Sequence, residues 1–488
     1  MRDPRRGVLL ALLLILLIAL APLPAHAQED LPEAEDHHLL SRHAGAAVPA
    51  PPDTLPSDSH CGGVRFLPDH ALESSWARTE AILAGAGEVG YRTRTRAALF
   101  CGSFLEVRAG GAEERGRLAL VPGRPPGSGS ELLPDRGGTA LRLRGEAELH
   151  SRVRVGGELG ATGGRLRGDG VYGELLLGPL YAWVGRRAPA YGPGRGGGVI
   201  LSGVVPLDGI GVGTTRPVRL PWRLSRVGKV DFETVLARGA DNGDIGKPFI
   251  LAGRGTLSFR ENLVLGANRG IMFGGEGVPG LTVRRVFWML VGDHQYENDR
   301  WIQIDNQIAS FDLAWRVTPG GVPVLLFLEW GLEDSNAAWI RSPGIVTGVE
   351  AVDPDRGLRL GLEHARLFRE NGFGIWYRHG TYRAGWSDAG RLLGHPLGGP
   401  GIEWLLHGAL HPPRSPWELQ AGLRSRYRYC QNSFAPYREG RALGGFLEGR
   451  VRTGLVDLYL QMDGERLPGG SVVGAGEGGV RWRLGAGG

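Results

Sequence analysis

The stretch "YAWVGRRAPAYGPGRGGGVILSG", residues 181–203, holds Gly192-x-Gly194-x-x-Gly197, the spacing of a dinucleotide-binding turn, directly after a strand-like aromatic run. In such a turn the glycines let the backbone approach a pyrophosphate whose charge rests on the free amides of a helix N-terminus. That chemistry needs a helix to follow, and Gly196, Gly197 and Gly198 lead instead into "VILSGVVP", which is β-branched and extended. An acidic ribose partner about 20 residues on is also missing, since that region reads "GTTRPVRLPW". The nucleotide reading is therefore set aside.

The same stretch does carry side chains that recognise sugars. Aromatic faces stack on the C–H surface of a sugar ring, planar polar groups pair with hydroxyls, and Arg forks grip acidic sugars. Trp183, Arg186, Arg187, Tyr191 and Arg195 offer both kinds, and "YRHGTYRAGWSDAGRLLGHPLGG" adds Tyr382, Trp386, Asp388, Arg391 and His395. "GDHQYENDRW", with Asp293, His294, Tyr296, Glu297 and Arg300, has a similar composition. The alternative for each residue is that it lines or packs a lumen. Catalytic signatures are absent: there is no G-x-S-x-G elbow, no H-E-x-x-H and no Walker lysine. "ADNGDIG" (Asp241, Asn242, Asp244) reads as an Asx-type turn rather than a calcium loop. No catalytic residue, metal or cofactor is expected, although a triad assembled from dispersed residues would leave no local signature.

The elements that must position these residues are strands. Gly accounts for 82 of 488 residues, which favours turns and strands because Gly costs about 1 kcal/mol against Ala inside a helix. In "ALRLRGEAELHSRVRVGGELG" the apolar Leu141, Leu143, Leu149, Val153 and Val155 alternate with Arg142, Arg144, Glu148, Arg152 and Arg154. "ELQAGLRSRYRY" repeats the pattern, with Leu419, Ala421, Leu423 and Tyr427 against Gln420, Arg424, Arg426 and Arg428. In "FLEGRVRTGLVDLYLQM" apolar Leu447 and Val451 occupy odd positions before Thr453-Gly454, and Val456, Leu458, Leu460 and Met462 occupy even positions after it. A tight hairpin produces that switch of parity.

Segments of about ten residues, apolar on one side and ionic on the other, are the signature of an outer-membrane barrel, where lipid demands one face and a wet lumen tolerates the other. Tyr181, Trp183, Trp222, Trp288, Trp330, Trp376, Trp404 and Trp417 recur near strand ends and read as interfacial girdles. The fold class is thus all-β: a transmembrane antiparallel barrel over 91–488, which at about 20–22 residues per strand and connection holds about 18 strands.

Upstream, Arg2, Arg5 and Arg6 precede an apolar run from Val8 to Ala21 and the Ala25-x-Ala27 site, so 1–27 reads as a signal peptide. Residues 28–90 read as a Pro-rich leader with a short helix at 69–85, the one convincing helix after the signal. Of three cysteines, Cys61 and Cys101 are the plausible disulfide and Cys430 is left over. The formal charge of +5 is spread without a dense basic stripe, so a nucleic-acid partner is not expected.

"AYGPGRGGGVILSGVVP", the later "FLEWGLED" and above all "YRHGTYRAGWSDAGRLLGHPLGG" resemble the Wzi family of capsule-assembly proteins, in the same order along the chain. The resemblance implies an outer-membrane barrel of about 18 strands that holds capsular polysaccharide at the cell surface, a lectin rather than an enzyme, with residues 191–198 and 382–398 at or in the barrel mouth. Two features differ from the family pattern: the leader carries one clear helix, and "GAGG" follows the last strand where a terminal aromatic is usual. The expected partners are surface polysaccharide and outer-membrane lipid, with the protein a monomer. A porin or polysaccharide export channel is the alternative, and a barrel hydrolase a third reading.

Overall fold

A strand with one apolar and one ionic face can be buried in two ways, and the choice shows in which face meets the surroundings. In the computed structural model, which describes Ser103–Ala112, Gly138–His150 and, with short internal gaps, residues 152–484, the apolar faces point outward. Leu141, Leu149, Val155, Leu423, Leu447, Leu458, Leu460 and Met462 are exposed, whereas Arg154, Gln420, Arg424, Arg426, Glu448, Gln461, Asp463 and Glu465 are buried. This inversion of the soluble pattern is what lipid outside and a polar interior require.

Eighteen strands form one ring among the described residues. They are β1 (Ser103–Ala112), β2 (Gly138–His150), β3 (Val153–Thr162), β4 (Arg165–Leu177), β5 (Leu180–Arg187) and β6 (Leu207–Thr214). Then come β7 (Lys229–Arg238), β8 (Phe249–Phe259), β9 (Leu263–Phe273), β10 (Asp305–Val317), β11 (Val324–Glu333) and β12 (Gly344–Asp353). The ring is completed by β13 (Leu358–Leu367), β14 (Gly401–Leu410), β15 (Trp417–Arg428), β16 (Gly440–Thr453), β17 (Val456–Arg466) and β18 (Val472–Leu484). Each pairs antiparallel with the next, and β18 returns to β1 with Val480 opposite Val107 and Trp482 opposite Leu105. Closure leaves no strand edge to be satisfied in lipid. The expected parity switch is present: β16 and β17 pair with Val451 opposite Leu458 and Thr453 opposite Val456, and apolar residues on both strands face out.

Connections differ by end. One end carries mostly short turns, such as 178–179, 260–262 and 354–357, and the other carries 188–206, 239–248, 274–304 and 368–400. Within 274–304 lies a helix, α1 (Val283–Val291), which sequence periodicity did not predict. The predicted signal peptide, the helix at 69–85, Cys61, Cys101 and Cys430 lie outside the described residues.

The girdle expectation is corrected in part. Trp330 and Trp417 face outward, together with Trp315 and Trp482, and Trp404 stacks on His364 at 4.2 Å between ring centroids. Tyr181, Trp183 and Trp376 are buried inside, because Val184, not Trp183, takes the outward phase of β5, and because residue 376 belongs to a connection that folds into the lumen. Trp222 and the Trp288 side chain lie outside the described residues.

The outward faces also set a test of the membrane assignment. Leu460 is about half-exposed near the middle of β17. Leu460→Arg is expected to cost about 2–4 kcal/mol at the bilayer midplane. Urea unfolding from lipid vesicles would read this, and a cost no larger than for an arginine at Thr453, near the end of β16, would mean that β17 does not face lipid.

Candidate functional site

β5 ends at Arg187 on the long-connection side, and the next strand in the ring, β6, is its neighbour. The chain between them does not take the short way. The Arg195 N–H donates to Glu363 Oε2 on β13 (2.7 Å), the Val199 N–H donates to Glu329 Oε2 on β11 (2.9 Å), and the Arg195 guanidinium reaches Gln420 on β15. Those three strands lie on the far side of the ring from β5, so residues 188–206 cross the lumen.

This accounts for the glycine spacing. The turn does present backbone amides to an anion, but the anion is a carboxylate of the barrel wall. Gly192 has φ +95°, where L side chains rarely sit, and a Cβ on it would run into the Glu329 carboxylate. From the other side Ser310 Oγ donates to Glu329 Oε1 (2.6 Å), and Asn268 Nδ2 donates to Ser310 Oγ (2.9 Å) and Asp312 Oδ2 (2.8 Å). Arg254 closes the row, with its two terminal nitrogens on the two Asp312 oxygens at 2.8 and 3.0 Å. A polar row thus runs through β8, β9, β10 and β11 to the crossing segment, and hydrogen bonding is what lets these buried carboxylates persist.

A second inward segment, within 368–400, locks onto the first. Trp386 Nε1 donates to Ile200 O (2.9 Å), and Leu393 O accepts from both Ser202 N (2.8 Å) and Ser202 Oγ (3.1 Å). Trp386 and Ile200 lie together against Gly270 of β9, where any Cβ would overlap both side chains. "LGHPLGG" is the anchor to the opposite wall: Arg428 Nε donates to Leu397 O (3.0 Å) and its terminal nitrogens reach Pro396 O (3.3 Å) and Glu465 (3.1 Å). Inside the segment the His395 N–H donates to the Tyr377 hydroxyl, and His395 Nδ1 accepts from Leu397 N (3.1 Å). Tyr382 donates to Gly274 O (3.1 Å), and burial pushes its phenol pKa up.

Behind both segments the wall of β14–β17 is ionic. Arg426 bridges Glu403 and Glu465 (2.8 Å to the latter), Arg424 pairs with Asp463, and Gln420 and Gln461 both donate to Glu448. Glu363, Glu403, Gln420, Glu448 and Glu465 were not singled out from sequence; their only signal was the ionic phase of alternating strands. Among the described residues no group of three or more His, Cys, Asp or Glu is placed to hold a metal ion.

The sequence candidates divide by accessibility. Trp183, Arg187, Tyr191, Tyr382, Trp386, Asp388 and His395 are buried. Arg187 pairs with Glu174 (2.8 Å) and lies over Tyr172 (4.4 Å) and Trp183 (5.3 Å). Arg186, on the outward phase, is partly exposed and pairs with exposed Asp208 (3.4 Å). Arg195 is partly exposed, with its guanidinium over Phe446 (5.3 Å). Arg391 sits in a two-residue strand paired with Ser387–Asp388, and its side chain is not among those described. The backbone of residues 295–297 pairs with 300–302 in a two-stranded sheet of its own; Asp293 and His294 lie outside the described residues.

Asp388 accepts the Ala240 N–H, and burial, the largest influence, raises its carboxyl pKa, with Arg186 opposing and Asp208 adding to the rise. A carboxyl pKa raised in the folded state means that stability is fully present below the ordinary 3.8 and declines as pH rises through the raised value. Asp388→Asn keeps an oxygen acceptor without the charge. Its melting temperature is expected to match that of the parent at acidic pH and exceed it at neutral pH; a difference independent of pH would contradict the assignment.

The chain matches the family model described as capsule assembly protein Wzi over residues 129–410, more than half of its length. It belongs to that family. All ten sugar-binding candidates and both lumen-crossing segments fall inside the matched span, while β15–β18 lie beyond it. Relatives of this Wzi-family barrel include a Klebsiella pneumoniae protein described as an uncharacterized 55.8 kDa protein in the cps region, 27% identical over 236 residues. That match covers 47% of this chain and 46% of the relative, so it spans a little under half of the curated protein. Among solved structures, Wzi of Escherichia coli, an outer-membrane protein involved in group 1 capsule assembly and described as a carbohydrate-binding β-barrel, aligns with a TM-score of 0.62 at 19% identity. The alignment covers 78% of this chain and 84% of that one, which establishes the shared fold.

Proposed function

We propose that this Wzi-family barrel holds a surface polysaccharide at its long-connection end during capsule assembly, as a monomer and without making or breaking bonds. One observation carries the reading: the two aromatic- and Arg-rich segments cross the lumen and are fastened to each other and to opposite walls. A pore needs an unobstructed passage, whereas a binding protein needs a preorganised surface, and this framework supplies the second. In this reading Arg186 and Arg195, which are partly exposed, touch the polymer. The buried Trp183, Arg187, Tyr191, Tyr382, Trp386, Asp388 and His395 hold the surface rigid, and Arg391 joins the contact set from its loop. The binding description of the Escherichia coli protein supports the same assignment. The contrast between short turns at one end and longer connections at the other supports an orientation with the long-connection end at the cell surface, and the same reading has the chain exported with its signal cleaved near Ala27, ahead of the 28–90 leader.

The test uses purified full-length protein and capsular polysaccharide in a pull-down, with capsule retention in a deletion strain as the cellular readout. Arg186→Ala with Arg195→Ala is expected to weaken binding at least about tenfold, since each charge-assisted hydrogen bond lost is worth about 1.5–3 kcal/mol. No glycan bound, together with steady single-channel conductance by the wild type, would replace this reading with the channel.

A further inference from the structure

We infer that α1 is a membrane-interface anchor that seats phosphate-bearing lipid headgroups against the outer wall of the barrel at its long-connection end. This goes beyond polysaccharide binding and rests only on the barrel's spanning a membrane.

The helix is built to stay where it is. Thr282 caps it, its Oγ1 accepting from Arg285 N (3.2 Å) and its carbonyl from Val286 N (2.9 Å). Met289 and Val286 pack on Phe249 and Leu251 of β8 and on Ile271 and Phe273 of β9. The alternate residues on those strands, Ile250, Ala252 and Met272, belong to the core inside the lumen. The surface under the helix is therefore the outside of the barrel.

Two polar residues on that outer wall make sense only with the helix in place. Arg269 of β9 donates to Met289 O (2.9 Å) and to Leu290 O, and Gln307 of β10 donates to Met289 O (3.1 Å). They satisfy carbonyls that the last turn of a helix leaves open, and the cation also suits the negative end of its dipole.

The apolar arc of α1 is wider than the wall it covers. At about 100° per residue, Val283, Phe287 and Leu290 fall together on an arc beside Val286 and Met289. They are 89%, 57% and 46% exposed. Exposed Leu236, Leu265 and Phe311 on β7, β9 and β10 extend the same apolar surface into the lipid-facing belt. Exposed Arg284 and half-buried Arg285 border it, and Arg238, on the outward phase of β7, lies over Phe249 (5.4 Å). An apolar face continuous with the lipid belt and edged by arginines matches acyl chains below and anionic headgroups above.

The experiment uses full-length protein with its three cysteines replaced by Ser and Phe287→Cys carrying a fluorophore, reconstituted in phosphatidylcholine vesicles with or without phosphatidylglycerol. Quenching by nitroxide on the upper acyl chain is expected to exceed quenching by aqueous iodide. Retention of phosphatidylglycerol by the otherwise unmodified protein, read by native mass spectrometry, is expected to weaken about fivefold with Arg284→Glu. Heat-modifiable migration on gels checks that each variant is folded. Iodide quenching equal to that of the free dye overturns the proposal, as does unchanged phosphatidylglycerol retention in a folded variant. Protection that appears only as protein concentration rises also overturns it, by showing that a second copy covers the face.

Discussion

Arg426→Ala is expected to destabilise the barrel by about 3–5 kcal/mol, the cost of stripping one partner from a buried ion cluster. The guanidinium is fully enclosed between Glu403 on β14 and Glu465 on β17 and donates to both. Glu465 keeps Arg428 at 3.1 Å and Arg424 at 3.4 Å, so the loss falls mainly on Glu403, whose ion-pairing nitrogen is removed. The cost comes from a carboxylate left buried rather than from the pair's own net attraction, because taking both charges out of water already offsets much of that attraction. Arg426→Met with Glu403→Gln is therefore expected to recover a large part of what the single substitution loses. Reversible urea unfolding from lipid vesicles, followed by tryptophan fluorescence, measures all three proteins. A single-variant cost under about 1 kcal/mol would place Arg426 in water rather than in a sealed wall.

The cluster also marks where sequence reading works and where it stops. The alternation of Gln420, Arg424, Arg426 and Arg428 with Leu419 and Leu423 identifies a membrane strand because lipid enforces a period of two along its whole length. The parity change between Val451 and Leu458 then fixes a hairpin, which the register bears out. Neither pattern says which carboxylate Arg426 meets, since Glu403 and Glu465 are separated from it by 23 and 39 residues.

On β5 the pattern itself blurs. Tyr181 and Trp183 are as apolar as Val184, yet they face the lumen. The crossing segments bring Tyr191, Ile200, Leu201 and Trp386 into the interior, and the inner side of the wall beneath them becomes apolar too. Contrast between the two faces is lost where the lumen is filled, which is where the candidate site lies. Consecutive Arg186 and Arg187 show the consequence: they read as one pair in sequence but sit on opposite phases, one at the rim and one packed on aromatic rings. The helix α1 escaped for a different reason. "VRRVFWMLV" is nine residues long, and its unbroken apolar part, "VFWMLV", is six, a length at which periodicity does not separate helix from buried strand.

Gly192→Val is expected to release the crossing segment while the ring of strands stays closed. Two costs add at this position: about 1–3 kcal/mol for a β-branched residue at a positive φ, and about 1–3 kcal/mol for a side chain forced into the space of the Glu329 carboxylate. Against them stand the amide bonds of Arg195 and Val199 to Glu363 and Glu329 and the Trp386 bond to Ile200, each worth about 0.5–3 kcal/mol net. The clash removes the Glu329 bond itself, so about 2–6 kcal/mol of strain stands against about 1–6 kcal/mol from the two remaining bonds, and the segment is expected to open more often than in the parent. The barrel wall draws its stability from strand pairing all round the ring and does not depend on that turn. Single-channel conductance in a planar bilayer should therefore rise above wild type, protease should cut within 188–206, and retention of capsular polysaccharide should fall. The cause is separable from general damage. In a Glu329→Ala background the carboxylate is gone, so Gly192→Ala should be tolerated better there than in the wild type, a coupling that a cycle of single and double variants isolates. A Gly192→Val protein as silent and as protease-resistant as the parent would show that residues 188–206 are held in the lumen by something other than this carboxylate cradle.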